Sequence, residues 1–169
     1  MNLFGPQLQR ESECEAILRS LPMWFGIEEA LLMYVRDTAA MPTFALESDG
    51  RIAGFITLQE HFTESWEVHC MAVDAKLRGS GIGTRLLIQA EDWLRAQGVK
   101  FLQIKTVAAS SSSKAYAETR CFYAAKGYTE LEVFPTLWSP RNPALQLVKA
   151  LGAAQPLAQA LNQKTIVFQ

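Results

Sequence analysis

A basic, glycine-rich loop carries the pattern in this sequence that is best suited to binding a ligand. It reads Arg78-Gly79-Ser80-Gly81-Ile82-Gly83, after a hydrophobic run that ends at Val73 and before an amphipathic run that begins at Thr84. Glycines at alternate positions open backbone conformations that other residues avoid, and they leave the backbone amides accessible. A helix beginning here would direct its unpaired N–H groups and positive dipole end into the loop. We therefore predict an anion site, most suited to a pyrophosphate.

Two common phosphate-binding motifs do not fit this loop. A P-loop ends in Gly-Lys-Ser/Thr, whereas Gly83 is followed here by Thr-Arg. A dinucleotide fingerprint needs two residues between its second and third glycines, and one residue separates Gly81 from Gly83. That fingerprint also needs an acid about 20 residues further on, where this chain has none. A glycine-rich surface loop without a ligand is the alternative interpretation.

Two side chains able to exchange protons stand on the strand that precedes the loop. Glu67 and His69 are two residues apart in the strand predicted over residues 66–73. A period of two predicts one face with Glu67, His69, Met71 and Val73, and the opposite face with Trp66, Val68, Cys70 and Ala72. Burial raises the pKa of an acid, which suits a base near neutral pH, and an imidazole titrates there without help. Both side chains are therefore candidate bases.

The loop and a second motif resemble those of the GCN5-related N-acetyltransferases (GNAT). Arg78, Gly81 and Gly83 match the Arg/Gln-x-x-Gly-x-Gly/Ala pattern of the family's pyrophosphate loop. The second motif, Cys121-Phe122-Tyr123-Ala124-Ala125-Lys126-Gly127-Tyr128, is similar to the end of the family's motif B, where a helix stops at a glycine and passes into a strand. The resemblance implies transfer of an acetyl group from acetyl-CoA to an amine, by direct attack in a ternary complex and without a metal.

The resemblance also implies roles for individual residues around the cosubstrate. Backbone groups of Met71, Ala72 and Val73 would contact the pantetheine and the thioester, and N–H groups there would stabilise an oxyanion. The pyrophosphate would be held by Arg78, Gly79, Ser80, Gly81, Ile82, Gly83 and Thr84. Tyr123 would be the general acid for the departing thiolate, a task that suits a phenol with a pKa of about 10. Packing between helix and sheet is the alternative role for this tyrosine.

The proton acceptor and one cofactor contact are less uniform in the family. Glu67 aligns with a catalytic Glu of several members and is the base that the resemblance favours, while His69, with an intrinsic pKa closer to neutral, is the rival base. Many members carry an Asn seven residues before the tyrosine of motif B, where this chain has Tyr116.

The acceptor site is marked by aromatic residues. In the resembling family a helix–link–helix region lines the acceptor pocket, so Trp24 and Phe25 are candidate substrate contacts. Trp138 and Arg141 lie in a loop predicted over residues 136–143 and are further candidates; packing would explain all four equally well. Four acids could also face the cleft: Glu28, Glu29, Glu60 and Glu64. This combination would suit a small cationic or aromatic amine, and we favour a small-molecule acceptor over a protein N-terminus or lysine.

The predicted elements follow the order of the GNAT fold: a strand, two helices, three strands, a helix, a strand, a helix and two strands. We predict an α/β fold with a single mixed, mostly antiparallel sheet flanked by helices, and a cofactor cleft where the fourth and fifth strands splay apart. Pro135 is predicted to close a strand that begins at residue 128, and Asp49-Gly50 to form a hairpin turn. The acetyltransferase domain spans residues 1–151. The tail, residues 152–169, is predicted as a short helix over 156–161 and an edge strand, or a homodimer contact, over 165–168.

Composition excludes several classes of function. The 169-residue chain is 49% hydrophobic and 20% charged, with a net charge of −1, which suits one domain with a sizeable core. No basic footprint for nucleic acid or an anionic membrane is present, and no apolar run approaches membrane-spanning length. The start of the sequence lacks the pattern of a signal peptide. The three widely spaced cysteines fit no metal site and suit the reducing cytoplasm, where we expect the protein.

Two rival functions stay open at this point. The fold could bind acetyl-CoA without catalysis, as a sensor or as a subunit of an assembly, although the presence of both Glu67 and Tyr123 favours an enzyme. The loop could also serve another phosphorylated ligand, such as the nucleotide cofactor of an oxidoreductase. Its glycine spacing argues against that ligand.

Overall fold

The computed structural model describes residues 1–152. Its elements are β1 (Asn2–Phe4), α1 (Glu11–Arg19), α2 (Glu28–Ala40), β2 (Thr43–Ser48), β3 (Arg51–Phe62), β4 (Ser65–Val73), a 3-10 turn (Ala75–Leu77), α3 (Ile82–Ala96), β5 (Phe101–Val107), α4 (Lys114–Ala125), β6 (Thr129–Ser139) and β7 (Asn142–Ala150). This order confirms the predicted succession of strands and helices. The predictions for residues 156–161 and 165–168 lie outside the described residues.

The strands form one mixed sheet in the order β1-β2-β3-β4-β5-β7-β6. Neighbouring strands are antiparallel except β4 and β5, which are parallel. The pairing of β4 with β5 covers only Ser65 to Val68 against Phe101 to Ile104. Beyond that point both strands continue without pairing to each other, so a cleft opens between them. The predicted mixed sheet with a splay between its fourth and fifth strands is confirmed.

The sheet packs a hydrophobic core on each of its faces. One core joins α3 to the sheet, and Leu86, Leu87 and Leu94 of that helix are at most 1% exposed. The other core joins α1 and α2 to the opposite face, through residues such as Leu18 and Leu31. Helices held on both faces fix the position of β4, from which the candidate site is built.

A β-bulge at His69 changes the predicted faces of β4. Thr57 pairs with Cys70 while the next residue, Leu58, pairs with Val68, so His69 has no partner on β3. One extra residue reverses the facing of every side chain beyond it. The α3-side core therefore contains Trp66, Val68, Met71 and Val73, whereas Cys70 and Ala72 belong to the other core. The prediction of uninterrupted alternation was wrong for this reason.

The two hairpin predictions had opposite outcomes. The Asp49-Gly50 turn is confirmed, with φ angles of 54° and 77° that suit a tight hairpin turn. The predicted end at Pro135 and the loop over 136–143 were wrong, because β6 continues to Ser139, which pairs with Asn142 at the start of β7. β6 is an edge strand, and its pairing with β7 shifts register between Phe134 and Ser139. Pro135 lies in this irregular stretch, and edge and bulge positions of a sheet tolerate a proline.

Candidate active site

The cleft between β4 and β5 opens onto the glycine-rich loop. A cavity of about 350 Å³, here called the loop cavity, lies between the end of β4, the loop, the first turn of α3 and one side of α4. Its lining includes nine of the predicted cofactor contacts: Met71, Ala72, Val73, Arg78, Gly79, Gly81, Ile82, Gly83 and Thr84. Ser80 is the predicted contact that lies outside the lining, and its hydroxyl donates to the Leu77 carbonyl at 2.6 Å.

The backbone of the loop explains its need for glycine. Gly79 and Gly81 have φ angles of 80° and 85°, where an L-residue would be strained. Gly81 is also the N-cap of α3, and no side chain caps that helix. A Cβ added at either glycine would meet no atom within 4 Å. Open space therefore faces the unpaired N–H groups of the first turn, which is the environment that a phosphate group favours.

Arg78 adds positive charge at this cavity. Its guanidinium carbon lies 4.3 Å from the centre of the Trp24 ring, a cation–π distance. Its Nη2 atom is 3.7 Å from the Glu118 carboxylate, and the two side chains are 41% and 52% exposed. An exposed pair of this kind holds its partners weakly. A phosphate in the loop cavity would therefore compete with Glu118 for the guanidinium group.

A second cavity, of about 420 Å³ and here called the aromatic cavity, lies alongside β4 on the way toward β6. It contains the other predicted site residues and several polar neighbours: Trp24, Phe25, Tyr34, His61, Glu67, His69, Lys105, Tyr116, Tyr123 and Trp138. Trp24, Phe25, Met71, Thr119 and Tyr123 line both cavities. The two cavities therefore meet at these five side chains.

Tyr123 stands where the two cavities meet. The residue is 5% exposed, and the rings of Phe122 and Tyr128 pack against it edge to face at 5.1 and 5.6 Å. Burial raises the pKa of the Tyr123 phenol, and the nearby Cys70 adds to the rise. The hydroxyl consequently stays protonated at neutral pH and can donate a hydrogen bond to either cavity.

Glu67 is held by two basic side chains. It is 8% exposed, and its Oε2 atom lies 2.7 Å from His61 Nε2. Lys105 from β5 also donates to this oxygen. The ammonium group of Lys105 offsets the negative charge that burial would otherwise make costly.

His69 has a different partner. Its Nε2 atom lies 2.7 Å from Asp37 Oδ2 on α2, and the two side chains are 15% and 20% exposed. The Tyr34 ring packs against the imidazole at a centroid distance of 5.2 Å. The β-bulge thus gives His69 a separate set of contacts from those of Glu67.

Two hydrogen bonds join the segment between α1 and α2 to α4, beside the point where the two cavities meet. The Trp24 indole donates to the Thr119 hydroxyl at 3.1 Å, and the Tyr116 hydroxyl donates to the Trp24 carbonyl at 3.4 Å. The position at which Tyr116 replaces the family's Asn therefore serves here to hold the link.

Comparison with known proteins decides the family. The model of the acetyltransferase (GNAT) family matches residues 10–121, about two thirds of the chain. The chain belongs to this family. No curated protein sequence matched the chain. Tyr123 lies two residues beyond the matched segment, so its assignment rests on motif B and on its place between the cavities.

Solved structures share the fold at low sequence identity. The aminoglycoside 6'-N-acetyltransferase from Enterococcus faecium is 18% identical with a TM-score of 0.70, over 92% of this chain and 100% of that one. The ribosomal-protein-S18-alanine N-acetyltransferase from Escherichia coli is 18% identical with a TM-score of 0.68, over 99% and 100%. An aminoglycoside 6'-N-acetyltransferase complexed with coenzyme A is 18% identical with a TM-score of 0.71, over 92% and 100%.

Membership of the GNAT family makes this protein an acyltransferase whose cosubstrate is acetyl-CoA. The residues of the loop cavity fit that molecule, because the open N-terminus of α3 and the Arg78 guanidinium suit its pyrophosphate. Residues 1–152 contain no group of three His, Cys, Asp or Glu side chains that could hold a metal ion. Within the same residues no helix is long and apolar enough to span a membrane.

The predicted acidic lining of the acceptor site was wrong. The four acids named for it are absent from the lining of both cavities. Glu28 instead pairs with Arg19 at 2.7 Å and Glu64 with Lys100 at 2.7 Å, both at the surface. Trp138 does line the aromatic cavity, whereas Arg141 is an exposed residue of the β6–β7 turn outside it.

Three polar residues of the site were missed from the sequence. Asp37 lies three positions after Tyr34, which puts both on one face of α2 and is the signal that could have identified it. Lys105 and His61 come from the strands on either side of β4, and their approach to Glu67 depends on strand register. No local sequence pattern contains that information.

Proposed function

We propose that this GNAT protein transfers the acetyl group of acetyl-CoA to an amine of a small-molecule acceptor, by direct attack in a ternary complex. The observation that carries the proposal is the meeting of two cavities at Tyr123. A cosubstrate in one cavity and an amine in the other would be held within reach of the same phenol. A protein that only sensed acetyl-CoA would need no second cavity.

The loop cavity is the proposed site of acetyl-CoA, which supplies an acetyl group activated as a thioester. The N–H groups at Gly81 and in the first turn of α3 bind the pyrophosphate, and Arg78 adds a charged contact. Further pyrophosphate contacts come from Gly79, Ile82, Gly83 and Thr84, which line this cavity. The backbone of Met71, Ala72 and Val73 lies along the splayed end of β4, where it can bind the pantetheine arm and orient the thioester.

Tyr123 is the proposed proton donor to the departing sulfur. Because burial raises its pKa, the phenol gives up its proton only when negative charge has built up on the sulfur. Donation is therefore strongest in the transition state, which is the condition for a catalytic contribution. Glu67 and His69 both line the aromatic cavity and are the two candidate bases for the acceptor's proton.

The aromatic cavity favours a small, largely apolar amine. Six aromatic side chains line it: Trp24, Phe25, Tyr34, Tyr116, Tyr123 and Trp138. Its acid, Glu67, is already paired with Lys105 and His61, so a second cationic group on the acceptor would find little free negative charge. An aromatic amine gains from stacking and from apolar burial.

An acceptor screen tests this proposal. Acetyl-CoA turnover is followed by release of free thiol against arylalkyl amines, linear polyamines, aminoglycosides, anionic amino acids and a peptide with a free N-terminus. We expect an arylalkyl amine to give the highest kcat/KM. A higher kcat/KM for the peptide would indicate a protein acceptor, and a higher value for polycations or anionic amino acids would contradict the proposed acceptor class.

A further inference from the structure

His69 is placed by an irregularity of the backbone at the point where the cleft begins. Pairing between β4 and β5 ends at Val68, and the next residue, His69, is the extra residue of the bulge. Bulges re-aim side chains and are common next to active sites. Without the bulge, regular alternation along β4 would give this imidazole a different facing relative to Val68 and Met71.

The contact with Asp37 determines which ring nitrogen is basic. A carboxylate can only accept hydrogen bonds, so the Nε2 atom, 2.7 Å from Asp37 Oδ2, must carry the proton. In the neutral imidazole the free lone pair is then on Nδ1. Asp37 is the hydrogen-bond partner of the ring within residues 1–152, and Tyr34 packs against it. The imidazole is thus held in one orientation, in which Nδ1 is the nitrogen that can accept a proton.

Glu67 differs from His69 because its charge is paired with a cation. Its Oε2 atom already accepts from His61 and from Lys105. Taking a proton from an amine would neutralise the carboxylate and leave the Lys105 ammonium without its counter-charge in a site where Glu67 is only 8% exposed.

We propose that His69 is the base of the reaction and that Asp37 is its positioning residue, an inference that rests on the proposed function. The acceptor nitrogen loses its proton to Nδ1 of His69 and forms a bond to the acetyl carbon. The carbon–sulfur bond breaks with its electron pair on sulfur, which receives the proton of Tyr123. His69 then returns its proton, and Tyr123 regains one, by exchange with water. Asp37 stabilises the imidazolium that exists in between, as a carboxylate does for the histidine of a hydrolase triad.

Several other groups titrate near this imidazole and must be told apart from it. Those that contact the ring or line the same cavity are Asp37 and Tyr34 on α2, Glu67 and Cys70 on β4, His61 on β3, Lys105 on β5, and Tyr116 and Tyr123 on α4. His61 is the other histidine of the chain, so the kinetic comparison needs a variant at each.

The experiment compares Asp37→Asn, His69→Gln, Glu67→Gln and His61→Gln with the surface variant Asp92→Asn. Asp92 is 63% exposed and pairs with Arg95 far from the cavities, so its variant should keep the kcat of the unchanged protein. We expect His69→Gln to lower kcat by at least about 100-fold, the usual contribution of a general base. Asp37→Asn should lower kcat by about 10-fold or more with the acceptor KM changed by less than about threefold, because orientation and not binding is lost.

A conservative variant completes the kinetic test. Asp37→Glu should recover part of the activity lost in Asp37→Asn. A larger loss of kcat in Glu67→Gln than in His69→Gln, or a kcat of Asp37→Asn within about twofold of the unchanged protein, would overturn the inference.

Nitrogen-15 spectra of the His69 ring separate this inference from the proposed function. We expect a ring protonated at Nε2 in the unchanged protein at pH 8, with this preference reduced in Asp37→Asn. A ring protonated at Nδ1 would overturn the inference even if acetyl transfer is found. Absence of turnover with every amine would overturn the proposed function and the base with it, while the tautomer stayed as described.

Discussion

Individual side chains in this protein differ sharply in their access to solvent, and the three cysteines show the range. Cys14 and Cys70 are 0% and 5% exposed, whereas Cys121 is exposed on α4. Burial raises the pKa of the Cys14 thiol to about 12 and raises that of Cys70 as well. Almost no reactive thiolate is then present at these two positions at pH 8.

This contrast predicts the reactivity of the folded chain. A thiol reagent at pH 8 should label one cysteine per native molecule and all three in denaturant, and Cys121→Ser should abolish native labelling. The stoichiometry is read by absorbance and mass spectrometry. Rapid labelling of two or three thiols in the native protein would contradict the buried positions of Cys14 and Cys70. The result also gives the constant background for any thiol-release assay of turnover.

The residues of the candidate site show how much of it can be predicted from the sequence. The location of Arg78, Gly81 and Tyr123 at the cavities could be predicted, because these residues belong to contiguous motifs whose spacing reflects the local backbone. Asp37 and Lys105 could not, since each meets its partner on β4 through tertiary packing or strand register. The prediction for the four acids was wrong because the sequence alone does not show which surface an acidic side chain on a loop or helix faces.

Among the elements, α3 offers a matched pair of glycines at its two ends. Gly81 at the N-terminus and Gly98 just beyond the C-terminus have φ angles of 85° and 79°, and a Cβ at either would meet no atom within 4 Å. Alanine at either position should therefore cost a similar stability, about 1 kcal/mol. Only Gly81 lines the loop cavity.

We expect Gly81→Ala to raise the Kd for acetyl-CoA by about 10-fold or more, because the strained loop and the added methyl group disturb the phosphate cradle. Gly98→Ala should leave that Kd within about twofold of the unchanged protein. Calorimetric titration gives both constants, and denaturant unfolding checks that the two variants lose comparable stability. Equal effects of the two substitutions on acetyl-CoA binding would contradict the assignment of the loop.

Strands were the elements at which sequence reasoning met its limits. The amphipathic run from Thr84 predicted the start of α3 to within two residues, and the Asp49-Gly50 turn was identified by its chemistry. The bulge at His69 has no sequence signature, because it is set by the pairing of β3 with β4. The sequence predicts a strand end at Pro135, whereas its place on an edge strand, which only the sheet order shows, lets β6 continue.

At the scale of the whole molecule, a buried charge cluster connects distant elements, and its Tyr128 ring packs against Tyr123. Glu91 on α3 is 4% exposed. It accepts hydrogen bonds from Lys149 on β7 at 2.7 Å, from Arg95 at 2.9 Å and from the Tyr128 hydroxyl at 3.1 Å. The cluster joins the helix that carries the phosphate loop to the far strands of the sheet.

Removal of the acid should therefore destabilise the whole fold. We expect Glu91→Gln to lower the free energy of unfolding by about 3 kcal/mol, because the two cations beside it lose their counter-charge. Urea unfolding followed by circular dichroism measures this value. The double variant Glu91→Leu with Lys149→Met should recover part of it, since it removes the Lys149 ammonium together with the acid and Arg95 keeps its second partner, Asp92. A loss below about 0.5 kcal/mol in Glu91→Gln would place the cluster among ordinary surface pairs.

The measurement that bears most directly on the proposed activity is amine-dependent release of thiol from acetyl-CoA, with Tyr123→Phe in parallel. The substitution keeps the packed ring and removes only the hydroxyl group of the residue that lines both cavities. We expect release to require both acetyl-CoA and an amine, and its kcat to fall at least about tenfold in Tyr123→Phe with the Kd for acetyl-CoA unchanged. Tight binding of acetyl-CoA without release in the presence of any amine would contradict the enzyme and favour a sensor. Equal turnover by both proteins would contradict the role of Tyr123.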